Sequence, residues 1–269
     1  MQYMGSKSKI SGEIIPILQR IIDEEEIETY VEPFVGGANV IDKIKAPRKV
    51  GADKNETLIA LLIDAQKGGE KIPESLSRED WDKRKKIYRD TQGEVVANHF
   101  PLEDCVAIGA TAFLGSFSCR GFSGGMAQDT VERKYYTSRR ASLMKQAQSK
   151  GFQDVHFLPL EYDEFDPNLK NYNKKWLFYC DPPYQNTKQY GYKFETNFNH
   201  EDYWNWVREL SQTAFVVCSE QSFPDDFEII WEKEVKRTVG RDNAFKATEK
   251  LGVLKGSPAH EWWQKAKKI

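Results

Sequence analysis

Apolar residues at Ile14, Ile15, Ile17, Leu18, Ile21 and Ile22 recur at helical spacing and predict a helix from Ser11 to Ile22, with Pro16 tolerable only near its first turn. Thr29 to Val40 reads as a strand running into a glycine turn at Gly36 and Gly37. Lys49 to Asp53 reads as a second short strand that ends in an acid. The pattern then changes: helix-like stretches run from Leu58 to Gln66, Arg78 to Arg89 and Leu102 to Phe113, followed by a Gly/Ser-rich stretch and a basic segment. Strand patterning returns at Val155 to Leu158, Trp176 to Cys180 and Ala214 to Cys218, with a Trp-rich helix from His200 to Leu210 between the last two. This order predicts an α/β protein with a doubly wound, Rossmann-like domain interrupted by a mostly helical insert. Ligands are expected at the carboxyl ends of its strands.

At 269 residues and 39% hydrophobic content, the chain can bury a sizeable core. No segment approaches the ~18 consecutive apolar residues of a membrane span, and the N-terminus shows no apolar signal core, so no membrane partner is expected and a cytoplasmic location is. Cys105, Cys119, Cys180 and Cys218 are widely spaced and read as reduced packing residues. His99, His156, His200 and His260 lack ligand spacing, and no metal is expected. A net charge of −2 gives no global attraction to nucleic acid, so any such contact needs a local basic patch.

Two stretches carry chemistry. Gly36 and Gly37, at the turn after the first strand, let the backbone approach a ligand closely. Asp53, at the end of the next strand, can accept hydrogen bonds from both hydroxyls of a ribose. No G-x-G-x-x-G pattern and no phosphate-cradling loop accompany them, which disfavours NAD and ATP and leaves S-adenosylmethionine, a nucleoside cofactor without phosphate. A plain tight turn and a helix-capping Asp53 are the alternative reading. The second stretch is Asp181-Pro182-Pro183-Tyr184, directly after an apolar strand. Its prolines fix successive φ angles and remove two donors, so a carboxylate and neighbouring carbonyls form a stiff row of acceptors suited to an exocyclic amine, with an aromatic ring beside them. The same stretch can also be a strand that ends in ordinary loop punctuation.

Tyr3-Met4-Gly5-Ser6-Lys7, Glu32-Pro33-Phe34-Val35-Gly36-Gly37, Ala52-Asp53-Lys54-Asn55 and Asp181-Pro182-Pro183-Tyr184 occur in an order that resembles the Dam-like, D12-class family of DNA adenine N6-methyltransferases. With the glycine motif before the insert and the DPPY motif after it, the chain resembles the alpha arrangement. The resemblance implies a catalytic domain of residues 1–57 and 152–269 and a target-recognition domain of residues 58–151. It implies catalysis at Asp181, Pro182, Pro183 and Tyr184. Contacts to S-adenosylmethionine are implied for Tyr3, Lys7, Glu32, Phe34, Gly36, Gly37, Asp53, Glu161, Tyr162 and Asp181. Ser6 replaces a glycine frequent in the family, and Glu161-Tyr162 stands where the family often has Asp-Phe.

For the nucleic-acid partner, cations interleave with aromatics and hydroxyls from Ser116 to Arg140. Arg120, Ser123, Arg133, Lys134, Arg139 and Arg140 are the candidate contacts to duplex DNA, and the family carries a DNA-reading hairpin in this region. The expected activity is site-specific N6 methylation of a flipped adenine in duplex DNA by a bacterial or phage-encoded enzyme. An RNA adenine methyltransferase and a catalytically silent protein that binds cofactor and DNA are the alternatives. A partner endonuclease and the recognition sequence are not legible in the chain.

Overall fold

The computed structural model describes residues 1, 5–90, 101–168, 172–173, 175–184, 198–239 and 243–268. Its centre is a seven-stranded sheet of order β3-β2-β1-β4-β5-β7-β6. The strands are β1 (Thr29–Glu32), β2 (Arg48–Ala52), β3 (Val155–Leu158), β4 (Trp176–Cys180), β5 (Phe215–Glu220), β6 (Phe227–Val239) and β7 (Asn243–Leu254). The first five are parallel, while β7 runs antiparallel between β5 and β6. The chain winds outward from β1 to β3 and then returns to place β4 on the other side of β1. The loops after β1 and β4 therefore diverge from adjacent strand ends, at the point where doubly wound sheets open a ligand crevice.

Alternation along the strands sorts side chains onto two faces. Tyr30, Leu177, Tyr179, Phe215 and Val217 join one apolar cluster, with Ile14, Leu18 and Ile21 of helix α1 (Ser11–Glu24), Leu58 and Leu62 of α2 (Glu56–Gln66) and Trp262 of the C-terminal helix. Val31, Phe178, Cys180, Val216 and Cys218 join the other, under a helix of residues 200–210 that buries Tyr203, Trp204, Trp206 and Val207. All four cysteines are free and buried, as their spacing predicts. Pro16 lies in the second turn of α1, later than the sequence suggests. The four side chains this helix sinks into the core, Ile14, Leu18, Ile21 and Ile22, outweigh the one backbone bond its proline removes.

The described residues of 58–151 are mostly helical, as expected: α3 (Arg78–Asp90), α4 (Leu102–Gly109) continuing as a π-type turn through Leu114, and α5 (Tyr135–Ala147). It shares one core with the sheet. Ile108, Phe113, Phe122, Tyr136 and Leu143 belong to the same cluster as α1 and β1, and α4 lies so close to α2 that a Cβ at Gly109 would sit 2.1 Å from the Thr57 carbonyl oxygen. The helices of residues 200–210 and 258–266 are α6 and α7. Among the described residues no helix is long and apolar enough to cross a membrane, and no cluster of His, Cys, Asp or Glu has the spacing to hold a metal ion.

Candidate active site

The turn after β1 is organised by Asp53. Its Oδ2 accepts from the Gly36 amide at 3.1 Å and its Oδ1 from the Asn55 amide at 3.0 Å, so the acid at the end of β2 binds the glycine loop directly. Gly36 has φ of +48°, a left-handed conformation that glycine adopts without steric cost, and Ala38 takes the same region at +54°. Gln146 of α5 braces the loop from the other side by donating to the carbonyls of Ala38 at 2.9 Å and Gly37 at 3.4 Å. Burial pushes the Asp53 carboxyl above its ordinary value, and the two amide donors oppose the shift. Each oxygen carries one backbone donor and retains acceptor capacity, which is the equipment a ribose diol requires.

Phe34, from the same turn, stacks on Tyr162 with ring centroids 5.5 Å apart and planes at 25°. Phe198 and Tyr203 meet both rings edge-on or tilted, so an aromatic cluster lies beside the loop that Asp53 holds. Glu161 is exposed, lies 3.7 Å from Lys54 and caps the short turn of Tyr162–Glu164, taking part in local structure. Glu32 is buried and accepts from the Tyr30 hydroxyl at 2.8 Å. Burial, reinforced by the nearby Asp181 charge, raises its carboxyl to about 8. Tyr3 lies outside the described residues.

The loop after β4 is tied to the N-terminal turn. Lys7, 5% exposed, donates to Asp181 Oδ1 at 2.6 Å, lies 4.5 Å from the centroid of the Tyr184 ring and stands 3.9 Å from Glu249 Oε2. The Tyr184 hydroxyl donates to Glu249 Oε2 at 2.6 Å and lies 3.2 Å from Ser219 Oγ. Burial, with the Asp181 and Glu249 charges nearby, pushes the phenol well above its ordinary range, so it stays protonated as a donor. Lys7, Asp181 and Tyr184 thus come together. Glu249, Ser219 and Gln146 join the arrangement without a sequence signal of their own, for none belongs to a recognisable motif.

The basic region divides. Arg139 is buried and donates to the carbonyls of Leu114 at 2.9 Å and Ser116 at 2.7 Å, so this arginine supports the neighbouring loop from inside. The half-buried Arg140 lies 3.4 Å from the Ile72 carbonyl, and the Arg120 side chain is also half-buried. Ser123, Arg133 and Lys134 are exposed. The loop is closed by a bridge between Ser116 and Met126 and by a bond from the Phe117 amide to Gly125 O at 2.9 Å, leaving the Phe117 side chain 50% exposed.

The donor set fits S-adenosylmethionine: an acid for the ribose at Asp53, aromatic rings at Phe34 and Tyr162 for adenine, and a close-approach loop at Gly36 and Gly37 without a phosphate cradle. When bound, that cofactor supplies an electrophilic methyl group on a sulfonium. Residues 3–219 match the family described as D12 class N6 adenine-specific DNA methyltransferase. No curated protein matches the chain. Among solved structures, the rRNA methyltransferase AviRa from Streptomyces viridochromogenes aligns over 96% of this chain and 87% of that one, at 10% sequence identity and a TM-score of 0.38. With well over half its length inside the matched segment and the motifs placed in the crevice of the sheet, the chain belongs to the D12 class of S-adenosylmethionine-dependent, N6 adenine-specific DNA methyltransferases.

Proposed function

We propose that the protein turns an adenine out of duplex DNA and methylates its N6 at a defined short sequence. The observation that carries this reading is the placement of Asp181-Pro182-Pro183-Tyr184 at the switch point, with Asp181 oriented by Lys7 and Tyr184 anchored through its hydroxyl, beside the loop bound by Asp53. An adenine amine is a poor nucleophile because its lone pair is delocalised into the ring. Hydrogen bonds from N6–H to Asp181 Oδ2 and to the Pro182 carbonyl localise that pair on nitrogen. Lys7 holds Oδ1 and thereby sets the plane of the carboxylate, and the Tyr184 face opposite Lys7 is assigned to the base. With S-adenosylmethionine bound, its sulfonium would supply the methyl group to the N6 lone pair and leave as a neutral thioether, Asp181 Oδ2 and the Pro182 carbonyl would hold N6 in line, and the proton lost from N6 would pass to solvent.

Extruding the base costs a few kcal/mol, which contacts to the backbone must return. The exposed Arg133, Lys134 and Ser123 lie on a segment suited to phosphate contact, and we assign recognition of the target to the helical region of 58–151. The test is transfer of labelled methyl to unmethylated genomic DNA, with nucleosides resolved and modified positions sequenced. The expected product is N6-methyladenine in one short context, lost in Asp181→Ala. Label in RNA alone, or full turnover by Asp181→Ala, refutes the reading.

A further inference from the structure

Glu249 lies on β7, beyond residue 219 where the family match ends, yet it touches two members of the site. Its side chain is 4% exposed, one of its oxygens accepts from the Tyr184 hydroxyl at 2.6 Å, and the same oxygen stands 3.9 Å from the Lys7 ammonium that bonds Asp181. Its position follows from topology. Leu251 and Lys250 pair with Ser219 and Glu220 at the end of β5, so the antiparallel β7 brings Glu249 to the strand ends from which the Asp181 loop departs.

We infer that Glu249 is a positioning residue for methyl transfer, fixing the Tyr184 ring through its hydroxyl and sharing Lys7 with Asp181. This inference rests on the proposed role of Asp181 and Tyr184 in holding the target base. Two needs of that site meet in one carboxylate. A tyrosine that orients a base by its ring must not rotate, and a phenol with a charged acceptor at 2.6 Å is held harder than one with a neutral partner. Positive charge also passes from sulfur to N6 during transfer, so a carboxylate fully neutralised by lysine would stabilise it poorly. Lys7 faces both Asp181 and Glu249, so its charge is shared between two carboxylates rather than given to Asp181 alone.

Glu249→Gln preserves volume and an acceptor for the phenol but removes the charge. Tyr184→Phe removes the hydroxyl from the other side. Each is expected to lower kcat by about 10- to 100-fold, the range for losing one hydrogen bond to a charged group. The Kd for S-adenosylmethionine and the KM for DNA should change less than about threefold, because the loss falls on the transition state. The double variant should be no slower than the slower single, since Tyr184→Phe removes a contact that Glu249→Gln has already weakened. Wild-type kcat in either single variant, or losses that multiply in the double, overturns the inference. Should Glu249→Gln fail to fold, Tyr184→Phe still decides, because it breaks the same bond while keeping the ring. A wild-type protein that methylates no adenine in DNA fails the proposed function itself, whereas an active wild type matched by Glu249→Gln fails Glu249 alone.

Discussion

Glu32 makes the stability of this protein depend on pH in an unusual direction. Its carboxyl is buried at 3% exposure, accepts from Tyr30 and is raised from 4.5 to about 8, so the folded protein carries it protonated at neutral pH while the unfolded chain ionises it. Between those values the folded state binds the extra proton. The stabilising contribution is therefore complete below about 4.5 and is lost progressively until pH passes about 8. A shift from 4.5 to about 8 corresponds to roughly 5 kcal/mol across the window, at about 1.4 kcal/mol per pH unit. Glu32→Gln removes the titration and keeps an oxygen acceptor for the Tyr30 hydroxyl. Urea unfolding followed by tryptophan fluorescence should show the variant gaining on the wild type by about 1 kcal/mol or more per unit from pH 5 to pH 8, with no further gain above pH 9. A stability difference between the two proteins that stays constant from pH 5 to pH 9 would refute the assignment of a neutral buried acid.

Asp53→Ala removes the acceptor shared by the loop and the proposed ribose contact, and isothermal titration should show S-adenosylmethionine binding weakened by about 10- to 100-fold; unchanged affinity would remove Asp53 from the cofactor site. Arg139→Ala should lower unfolding free energy by about 2–4 kcal/mol, because it strands the Leu114 and Ser116 carbonyls in a buried setting, and calorimetry showing wild-type stability would contradict that role. Arg133→Ala with Lys134→Ala should instead leave stability within about 0.5 kcal/mol and flatten the salt dependence of DNA binding by up to about two counterions; an unaltered slope would place both outside the interface. Gly109→Ala drives a methyl into the Thr57 carbonyl and should destabilise by at least about 2 kcal/mol, which thermal unfolding would detect.

The strands and helices with a single clear period were legible in the chain: α1, β1 to β5, α2 and α6 fall within a few residues of their sequence-predicted positions. The hairpin of β6 and β7 was not. Segments such as Trp231-Glu232-Lys233-Glu234-Val235 carry too much charge to read as sheet, and their pairing is satisfied chiefly by each other. Helix α5 was masked by its own chemistry. Its buried stripe is Tyr136, Arg139, Leu143 and Ala147, and the arginine in that stripe makes the segment read as a solvated basic surface. The same residue explains why the DNA candidates divide: spacing reveals that a cation is present, whereas only tertiary contacts show that Leu114 and Ser116 consume its hydrogen bonds. Within the site, Asp181, Tyr184, Lys7 and Asp53 were visible because each sits in a short motif. Glu249 was hidden because a lone carboxylate on an unpredicted strand acquires its partners through sheet order alone.

The single core that runs from the sheet into residues 58–151 limits how specificity can be exchanged between relatives. A segment whose helix touches Thr57 through Gly109, and whose Gln146 holds the glycine turn after β1, cannot be transplanted as a cassette without disturbing that turn. The turn from Phe117 to Lys134, exposed over most of its length, carries no such obligation, and under the proposed function it is there that a lineage would change the sequence it reads while leaving the reaction intact.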